Sequence, residues 1–128
     1  MTSKPCIVLG VPVQEGAGRL GCDMGPSAFR TAGLLTELRS LGYDVEDRGN
    51  IAPKPRKDLR HPNAAVRALP ETVAWTEAIA EAAYDASGDG IPIFIGGDHS
   101  LWQPLTGSGA MEKYTLPQAR ATLYIHHL

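Results

Sequence analysis

This 128-residue chain has few cysteines, no long apolar run and little excess of charge of either sign. No apolar run approaches the ~18 residues of a membrane-spanning helix, and residues 1–5 lack the apolar core of a secretory signal. The 12 basic and 14 acidic residues form no basic block, so nothing in the charge pattern points to nucleic acid. Cys6 and Cys22 do not have a metal-ligand spacing, which favours reduced thiols. We therefore expect a cytoplasmic domain without membrane or nucleic-acid partners.

Apolar runs alternate with helical patterns along most of the chain. Residues 6–13 and 91–95 are continuous apolar runs, typical of strands that are buried on both faces of a parallel sheet. Residues 43–47 alternate and predict a more exposed strand, whereas residues 26–41 and 71–87 carry apolar side chains at helical spacing. This order predicts an α/β fold with three αβα layers around a parallel sheet.

The remaining segments have weaker patterns. Residues 48–62 form a proline-rich connector, whose lysines and arginines we interpret as a solvated loop rather than a binding patch. Residues 63–69 predict a short helix. Beyond residue 101 prolines and glycines interrupt the pattern, although residues 121–125 could form one more strand. We expect residues 1–101 to be the organised part and residues 102–128 to be a divergent tail.

Polar side chains follow directly after the second buried strand, in Ile95-Gly96-Gly97-Asp98-His99-Ser100. In open α/β sheets ligands bind beyond the carboxyl ends of the strands, so Asp98 and His99 are candidate functional residues. A tight turn in which Asp98 or Ser100 caps the next helix explains the same residues equally well. The residues alone leave both interpretations open.

Glycines are also frequent after the first strand. Residues 16–21, Gly-Ala-Gly-Arg-Leu-Gly, match the dinucleotide-binding fingerprint and follow a predicted strand. In that fingerprint the helix opens within the glycine motif, so that its N-terminus faces the pyrophosphate. Here Pro26 marks a first helical position several residues too late. We therefore rank nucleotide binding below the alternatives.

Two stretches together resemble the arginase (ureohydrolase) family. Phe94-Ile95-Gly96-Gly97-Asp98-His99-Ser100-Leu101 is similar to the first metal-binding motif of that family. An N-terminal stretch resembles the signature of the family through Gly10-Val11-Pro12, Gly16, Arg19, Gly21, Gly25-Pro26, Arg30 and Ala32-Gly33-Leu34. The two matches follow the family's order at a similar separation, and the pair is far more specific than either one alone.

The resemblance implies an arginase-like fold and a hydrolase that converts L-arginine and water to L-ornithine and urea. It implies a pair of manganese ions, with His99 as the first manganese-binding histidine and Asp98 as a supporting carboxylate beside it. Gly96 and Gly97 would form the backbone of the motif. A small guanidino substrate, a cytoplasmic location and, for a full-length member, a homo-oligomer are further implications.

Other motifs of the family do not occur in these 128 residues. The family supplies its remaining manganese ligands from an Asp-x-His-x-Asp motif and a later Asp-x-Asp pair, and the chain contains neither. We therefore expect this chain by itself to be an incomplete, inactive part of such an enzyme. Alternatives are a hydrolase of another guanidino compound such as agmatine, and a non-catalytic α/β interaction module.

Overall fold

A single parallel sheet forms the middle of the molecule. The computed structural model describes residues 4–66 and 68–98 and the backbone of residues 123–125. Within this part of the chain the sheet has the order β2-β1-β3-β4, and each neighbouring pair is parallel. The strands are β1 (Cys6–Val11), β2 (Val45–Asn50), β3 (Ile91–Gly96) and β4 (Leu123–Ile125). The predicted parallel sheet, with buried strands in the apolar runs of residues 6–13 and 91–95, is confirmed, and β4 lies within the stretch for which we expected a further strand.

Helices cover both faces of this sheet, which confirms the predicted three-layer arrangement. Their bounds are α1 (Gly25–Thr31), α2 (Leu34–Ser40) and α3 (Leu69–Asp89), and a short 3-10 turn, Cys22–Met24, precedes α1. Alternate residues of β1 point to opposite faces. Ile7, Leu9 and Val11 pack against α3, whereas Cys6 and Val8 belong to the core beneath α1 and α2.

The prediction of one helix over residues 26–41 is wrong. The chain forms two seven-residue helices instead, because Gly33 has a φ of 95° and a left-handed residue cannot continue a right-handed helix. Phe29 and Leu38 still pack on the sheet as their spacing predicts. Leu41, expected in the same apolar stripe, is 72% exposed because α2 ends before it.

Two shorter elements also differ from expectation. The predicted strand over residues 43–47 runs from Val45 to Asn50, because its pairing with β1 continues as far as Gly10. Residues 63–66 form a turn and not the predicted helix: Asn63 accepts the amide of Ala65 on its side chain at 2.9 Å. Asparagine side chains that bond the backbone two residues on compete with helix formation in this way.

The long helix α3 confirms the helix predicted over residues 71–87, extended by two residues at each end. Its apolar stripe includes Trp75, Ile79, Ala83 and Ala86, all buried against the sheet. In the described part of the chain no helix is both long and apolar enough to cross a bilayer.

Candidate functional site

The loops after β1 and β3 leave the sheet side by side. The two strands are parallel neighbours, and Val11 at the end of β1 pairs with Gly96 at the end of β3. Both chain segments that resemble one enzyme family therefore leave from the same carboxyl edge of the sheet. Open α/β folds bind their ligands at this edge.

Glycines allow the two segments to touch through their backbones. A Cβ atom on Gly25 would lie only 2.7 Å from the carbonyl carbon of Gly96 and from the nitrogen of Gly97. A Cβ atom on Gly97 would overlap the carbonyl oxygen of Cys22. Any larger residue at position 25 or 97 would force these backbones apart, because real Cβ atoms do not approach other atoms so closely. The start of α1 therefore packs directly on the turn that follows β3.

The candidate residues of the motif lie on and just after this turn. Gly96 is the last residue of β3, Gly97 contacts Cys22, and Asp98 follows as a half-buried residue. His99 and Ser100 lie outside the described residues. The structure thus brings Gly96, Gly97 and Asp98 to the carboxyl edge of the sheet, as their position directly after a buried strand predicts.

The glycine-rich loop after β1 is held at several points. Gln14 accepts the amide of Gly21 on its side-chain oxygen at 3.1 Å, and its backbone oxygen accepts the amide of Ala17 at 3.0 Å. The indole nitrogen of Trp75 donates to Glu15 Oε2 at 3.0 Å. No helix opens within residues 16–21, because the 3-10 turn begins only at Cys22 and α1 at Gly25. The structure therefore contradicts the dinucleotide-binding alternative.

A cavity of about 600 Å³ lies between this loop and α1. It is lined mainly by apolar groups, including Leu20, Met24 and Phe29, and Gly97 forms part of its wall. Among the described residues that line it, Arg19 is the charged one. A guanidinium needs carboxylates around it, and a positive side chain would repel it. The described part of its lining is therefore not suited by itself to bind a guanidino group.

Arg30 links α1 to the end of β2 at the same edge of the sheet. Its Nε and Nη2 donate to the two carboxylate oxygens of Asp47, each at 2.9 Å, and Nη1 donates to Asn50 Oδ1 at 2.6 Å. The hydrogen bond from Arg30 holds the pKa of Asp47 below its usual range, with a further contribution from the amide of Gly49. We call these three side chains the Arg30 cluster. The resemblance includes Arg30, but sequence reasoning did not predict its partners.

The cationic connector is paired with α3. Lys54 forms an ion pair with Glu81, and Arg56 Nη1 lies 2.8 Å from Glu71 Oε1. Lys57 Nζ donates to Glu77 over 2.5 Å. The sequence interpretation of a solvated loop missed these pairs. Their acidic partners recur on one face of α3, at a spacing that could have indicated a basic neighbour.

Metal ligands are few in the described part of the chain. Residues 4–66 and 68–98 contain no group of three histidine, cysteine or acidic side chains that could hold a metal ion. Asp98 alone does not fit a pair of manganese ions, since manganese prefers several carboxylates with some imidazole. Cys6 is also a poor ligand, because burial raises the pKa of its thiol and the carboxylate of Asp44 raises it further. The described residues therefore do not form a two-metal site by themselves.

Comparison with known proteins identifies the family. The model of the arginase family matches residues 4–121. The chain is 56% identical to the arginase of Brucella melitensis over 96 residues, which are 75% of this chain and 31% of that protein. It is 48% identical to the arginase of Agrobacterium fabrum over 99 residues, with 77% of this chain and 31% of that protein covered.

A solved structure has the same fold as this chain. The arginase of Bacillus caldovelox superimposes with a TM-score of 0.65 at 37% sequence identity, over 77% of this chain and 33% of that one. The chain thus spans about a third of the length of the curated relatives it matches. The family match covers most of the chain, and both resembling stretches meet at one edge of the sheet, so this protein belongs to the arginase family.

Proposed function

We propose that this chain contributes the first metal ligand of an arginase-type hydrolase, which converts L-arginine and water to L-ornithine and urea. The observation that carries this proposal is the packing of Gly25 on Gly96 and Gly97. It joins the N-terminal signature of the family to the Gly-Gly-Asp-His motif at the edge where such sheets bind ligands. In this role His99 is a manganese ligand, and Asp98 supports it from beside the metal.

Manganese would supply acidification of the attacking water and stabilisation of the charge that develops during hydrolysis. The residues of this chain have a different task. The turn after β3 must present an imidazole and a carboxylate at one point of the sheet edge. The backbone packing at Gly97 and Gly25 would restrict that presentation to a narrow range of positions.

Arginine is the substrate that the relatives favour. The similar proteins are named arginases, which supports arginine over agmatine for this chain. Among the described residues that line the cavity beside the turn none is acidic, so we infer that the groups recognising the substrate lie elsewhere in the complete enzyme. A cytoplasmic location is consistent with two free cysteines, Cys6 and Cys22.

We further propose that the 128 residues alone are inactive, because they contain neither the Asp-x-His-x-Asp motif nor the Asp-x-Asp pair. A neutral imidazole by itself binds manganese poorly, since this metal stands low in the affinity order of divalent ions. Equilibrium dialysis with manganese chloride, followed by a urea assay with arginine, should detect neither tight binding nor turnover. Binding of two ions with turnover, lost in His99→Ala and retained in His61→Ala, would contradict this second proposal.

The arginase proposal itself is tested in a chimera. Residues 1–101 of this chain are joined to the remaining part of the Brucella melitensis arginase, whose matching region is 56% identical. We expect this chimera to release urea from arginine, because residues 1–101 supply the first metal ligand, whereas any discrimination against agmatine would come from the Brucella part. His99→Ala should remove activity and manganese binding together, whereas Asp98→Asn should lower them by about 10–100-fold, as changes next to a metal ligand do.

His61→Ala is the matched control in the chimera. His61 lies on the connector, where its Nδ1 accepts the amide of Asn63 at 3.1 Å, and its loss should leave activity unchanged. An active chimera that is indifferent to His99→Ala would refute the role of His99. A folded chimera without activity on either compound would favour the non-catalytic alternative.

A further inference from the structure

Arg30 donates three hydrogen bonds within the Arg30 cluster, although it lies close to the protein surface. All three guanidinium nitrogens of Arg30 donate, two of them to Asp47 in a fork and the third to Asn50. The side chains of Arg30 and Asp47 are only 22% and 23% exposed. A bidentate pair of this kind fixes orientation as well as distance. The C-terminal end of α1 is therefore fixed to the end of β2.

The cluster also requires a glycine on the neighbouring strand. A Cβ atom on Gly10 would overlap Asn50 Oδ1 and would lie 3.0 Å from Arg30 Nη1. Gly10 pairs with Asn50 across the two strands, and its carbonyl oxygen accepts the amide of Ile51 at 2.8 Å. The guanidinium thus lies over the ends of β1 and β2 in space that a side chain at position 10 would fill.

The other end of α1 touches the motif. Gly25, the first residue of α1, is the residue that packs on the backbone of Gly96 and Gly97. The helix has seven residues and therefore extends over about 10 Å, at 1.5 Å per residue. So short a helix behaves as a rigid piece. A shift of its Arg30 end would move its Gly25 end as well, against a backbone contact that leaves no free space.

We propose that Arg30 is a positioning residue of the site, which acts through α1 to hold the Gly96–Asp98 turn in place. In this role it acts through α1 and not directly on Gly97 or Asp98. Its guanidinium anchors α1 to β2, and α1 in turn presses Gly25 and the carbonyl of Cys22 against the turn. A lysine would keep the charge but lose the fork, so the anchoring depends on the shape of arginine rather than on its charge.

Hydrogen–deuterium exchange on the full 128-residue chain tests this role, with mass spectrometry of peptides that cover residues 92–98. In Arg30→Lys we expect exchange of this turn to rise by roughly five-fold or more, while a peptide within residues 74–86 of α3 keeps its wild-type rate. A general loss of stability would instead raise the exchange rates of both peptides. The α3 peptide therefore separates a positioning role from a merely structural one.

Further variants make the test decisive. Arg39→Lys is the matched control, because it makes the same substitution at a neighbouring helix. Arg39 lies on α2 and donates to the carbonyl of Val45 at 3.3 Å. Asp47→Asn should reproduce the effect of Arg30→Lys, and the double variant should add little, since both changes break one interaction. Should Arg30→Lys fail to fold, Asn50→Ala removes only one of the three hydrogen bonds and should give a smaller effect at the same turn.

The proposal would be overturned if the turn exchanged at the same rate in wild type, Arg30→Lys and Asn50→Ala. It would also be overturned if Arg39→Lys raised exchange of the turn equally, or if exchange of the α3 peptide rose together with that of the turn. The turn has a catalytic purpose only if the arginase-type function proposed above holds. Exchange is measured without metal or substrate, so a negative result here would leave the chimera experiment unaffected. An inactive chimera would likewise leave the exchange result standing.

Discussion

The indole nitrogen of Trp75 donates a hydrogen bond to Glu15 Oε2 across 3.0 Å, which joins the N-terminal half of α3 to the loop after β1. The Trp75 side chain is buried against the sheet, while Glu15 is exposed. The same Glu15 oxygen accepts the amide of Gln14 at 3.1 Å. One carboxylate therefore joins the start of the glycine-rich loop to the helix α3, which packs on the sheet.

Trp75→Phe should destabilise the protein by about 1–2 kcal/mol, because it removes a hydrogen bond to a charged acceptor and part of a buried ring. Glu15→Gln keeps an acceptor oxygen and should cost less. Urea unfolding followed by circular dichroism measures both. A double-mutant cycle with Glu15→Ala should show a coupling of at least ~0.5 kcal/mol, and simple additivity would show that the hydrogen bond does not contribute.

The central strands and α3 could be predicted because their environment leaves a direct trace in the sequence. Residues buried on both faces of a sheet must be apolar without interruption, and β1 and β3 are. A helix with one buried face must repeat its apolar residues at helical spacing, as α3 does around Trp75 and Ile79. In both cases burial alone determines which residues are allowed.

The break between α1 and α2 could not be predicted in the same way. Phe29, Leu34 and Leu38 pack on one face of the sheet, and their near-helical spacing gives no sign of the interruption between them. A glycine within a helical pattern is commonly tolerated. Only the backbone angle of Gly33, a φ of 95°, shows that the helix ends and restarts.

The location of the candidate site could be predicted from the sequence, but the hydrogen bonds that hold it could not. The position of Gly96, Gly97 and Asp98 follows from the end of a buried strand. The contacts that fix this place join residues far apart in sequence: Arg30 bonds Asp47 across 17 residues, and Trp75 bonds Glu15 across 60. Charge and hydrogen-bonding capacity in a single sequence do not specify such long-range partners.

Stability should depend on pH through Asp47. Because Arg30 lowers the pKa of Asp47 in the folded protein, the unfolded chain binds more protons between that lowered value and the usual one of about 3.9. Stability therefore rises with pH through this window. The contribution of Asp47 should be fully present at neutral pH and lost as the pH falls through its folded pKa.

Urea unfolding of wild type and Asp47→Asn between pH 3 and pH 7 measures this contribution. The wild type should be more stable at pH 7, and the difference should shrink towards pH 3. Asp58→Asn is the control, because the Asp58 side chain is 88% exposed and its substitution should matter little at any pH. A difference between wild type and Asp47→Asn that is constant over the range would contradict the assigned cause.

Gly25→Ala and Gly88→Ala should shift stability in opposite directions. At position 25 the new methyl group would lie 2.7–2.8 Å from the backbone of Gly96 and Gly97, and overpacking of this kind costs about 1–3 kcal/mol. Gly88 lies within α3 with no atom within 4 Å of an added Cβ, so alanine there should stabilise by roughly 0.5–1 kcal/mol. Thermal unfolding monitored by circular dichroism compares them.

Local exchange would refine that comparison. Gly25→Ala should also raise exchange at the turn after β3, whereas Gly88→Ala should not. If Gly25→Ala proved as stable as wild type, the close contact between α1 and the turn would be wrong, and the proposed path from Arg30 to Asp98 would lose its second step.

The connector should separate from α3 at high salt. Arg56 and Lys57 are held there by Glu71 and Glu77 through ion pairs with largely exposed cations, at 70% and 59% exposure. Arg56 also lowers the pKa of Glu71 through its hydrogen bond, so this carboxylate stays ionised to a lower pH than an unpaired one. Raising the salt from 0.1 M to 1 M shortens the screening length from about 10 Å to about 3 Å. Exposed pairs of this kind contribute only about 0–1 kcal/mol each, so screening should release them.

Limited trypsin digestion reports this release, since trypsin cleaves after Arg56, Lys57 and Arg60 only where the backbone can leave the surface. Cleavage there should accelerate in 1 M sodium chloride relative to a short peptide substrate in the same buffer. Glu77→Gln should accelerate it already at 0.1 M. Glu46→Gln is the matched control, because it removes the same charge and breaks another exposed ion pair, with Arg48 at 2.8 Å on β2. It should leave the connector protected.

The segment near Lys54 should stay attached in every case, because its backbone amide donates to the carbonyl of Ala74 at 3.1 Å and salt does not screen that bond. Cleavage independent of salt and of Glu77 would show that packing, and not charge, holds the connector on α3.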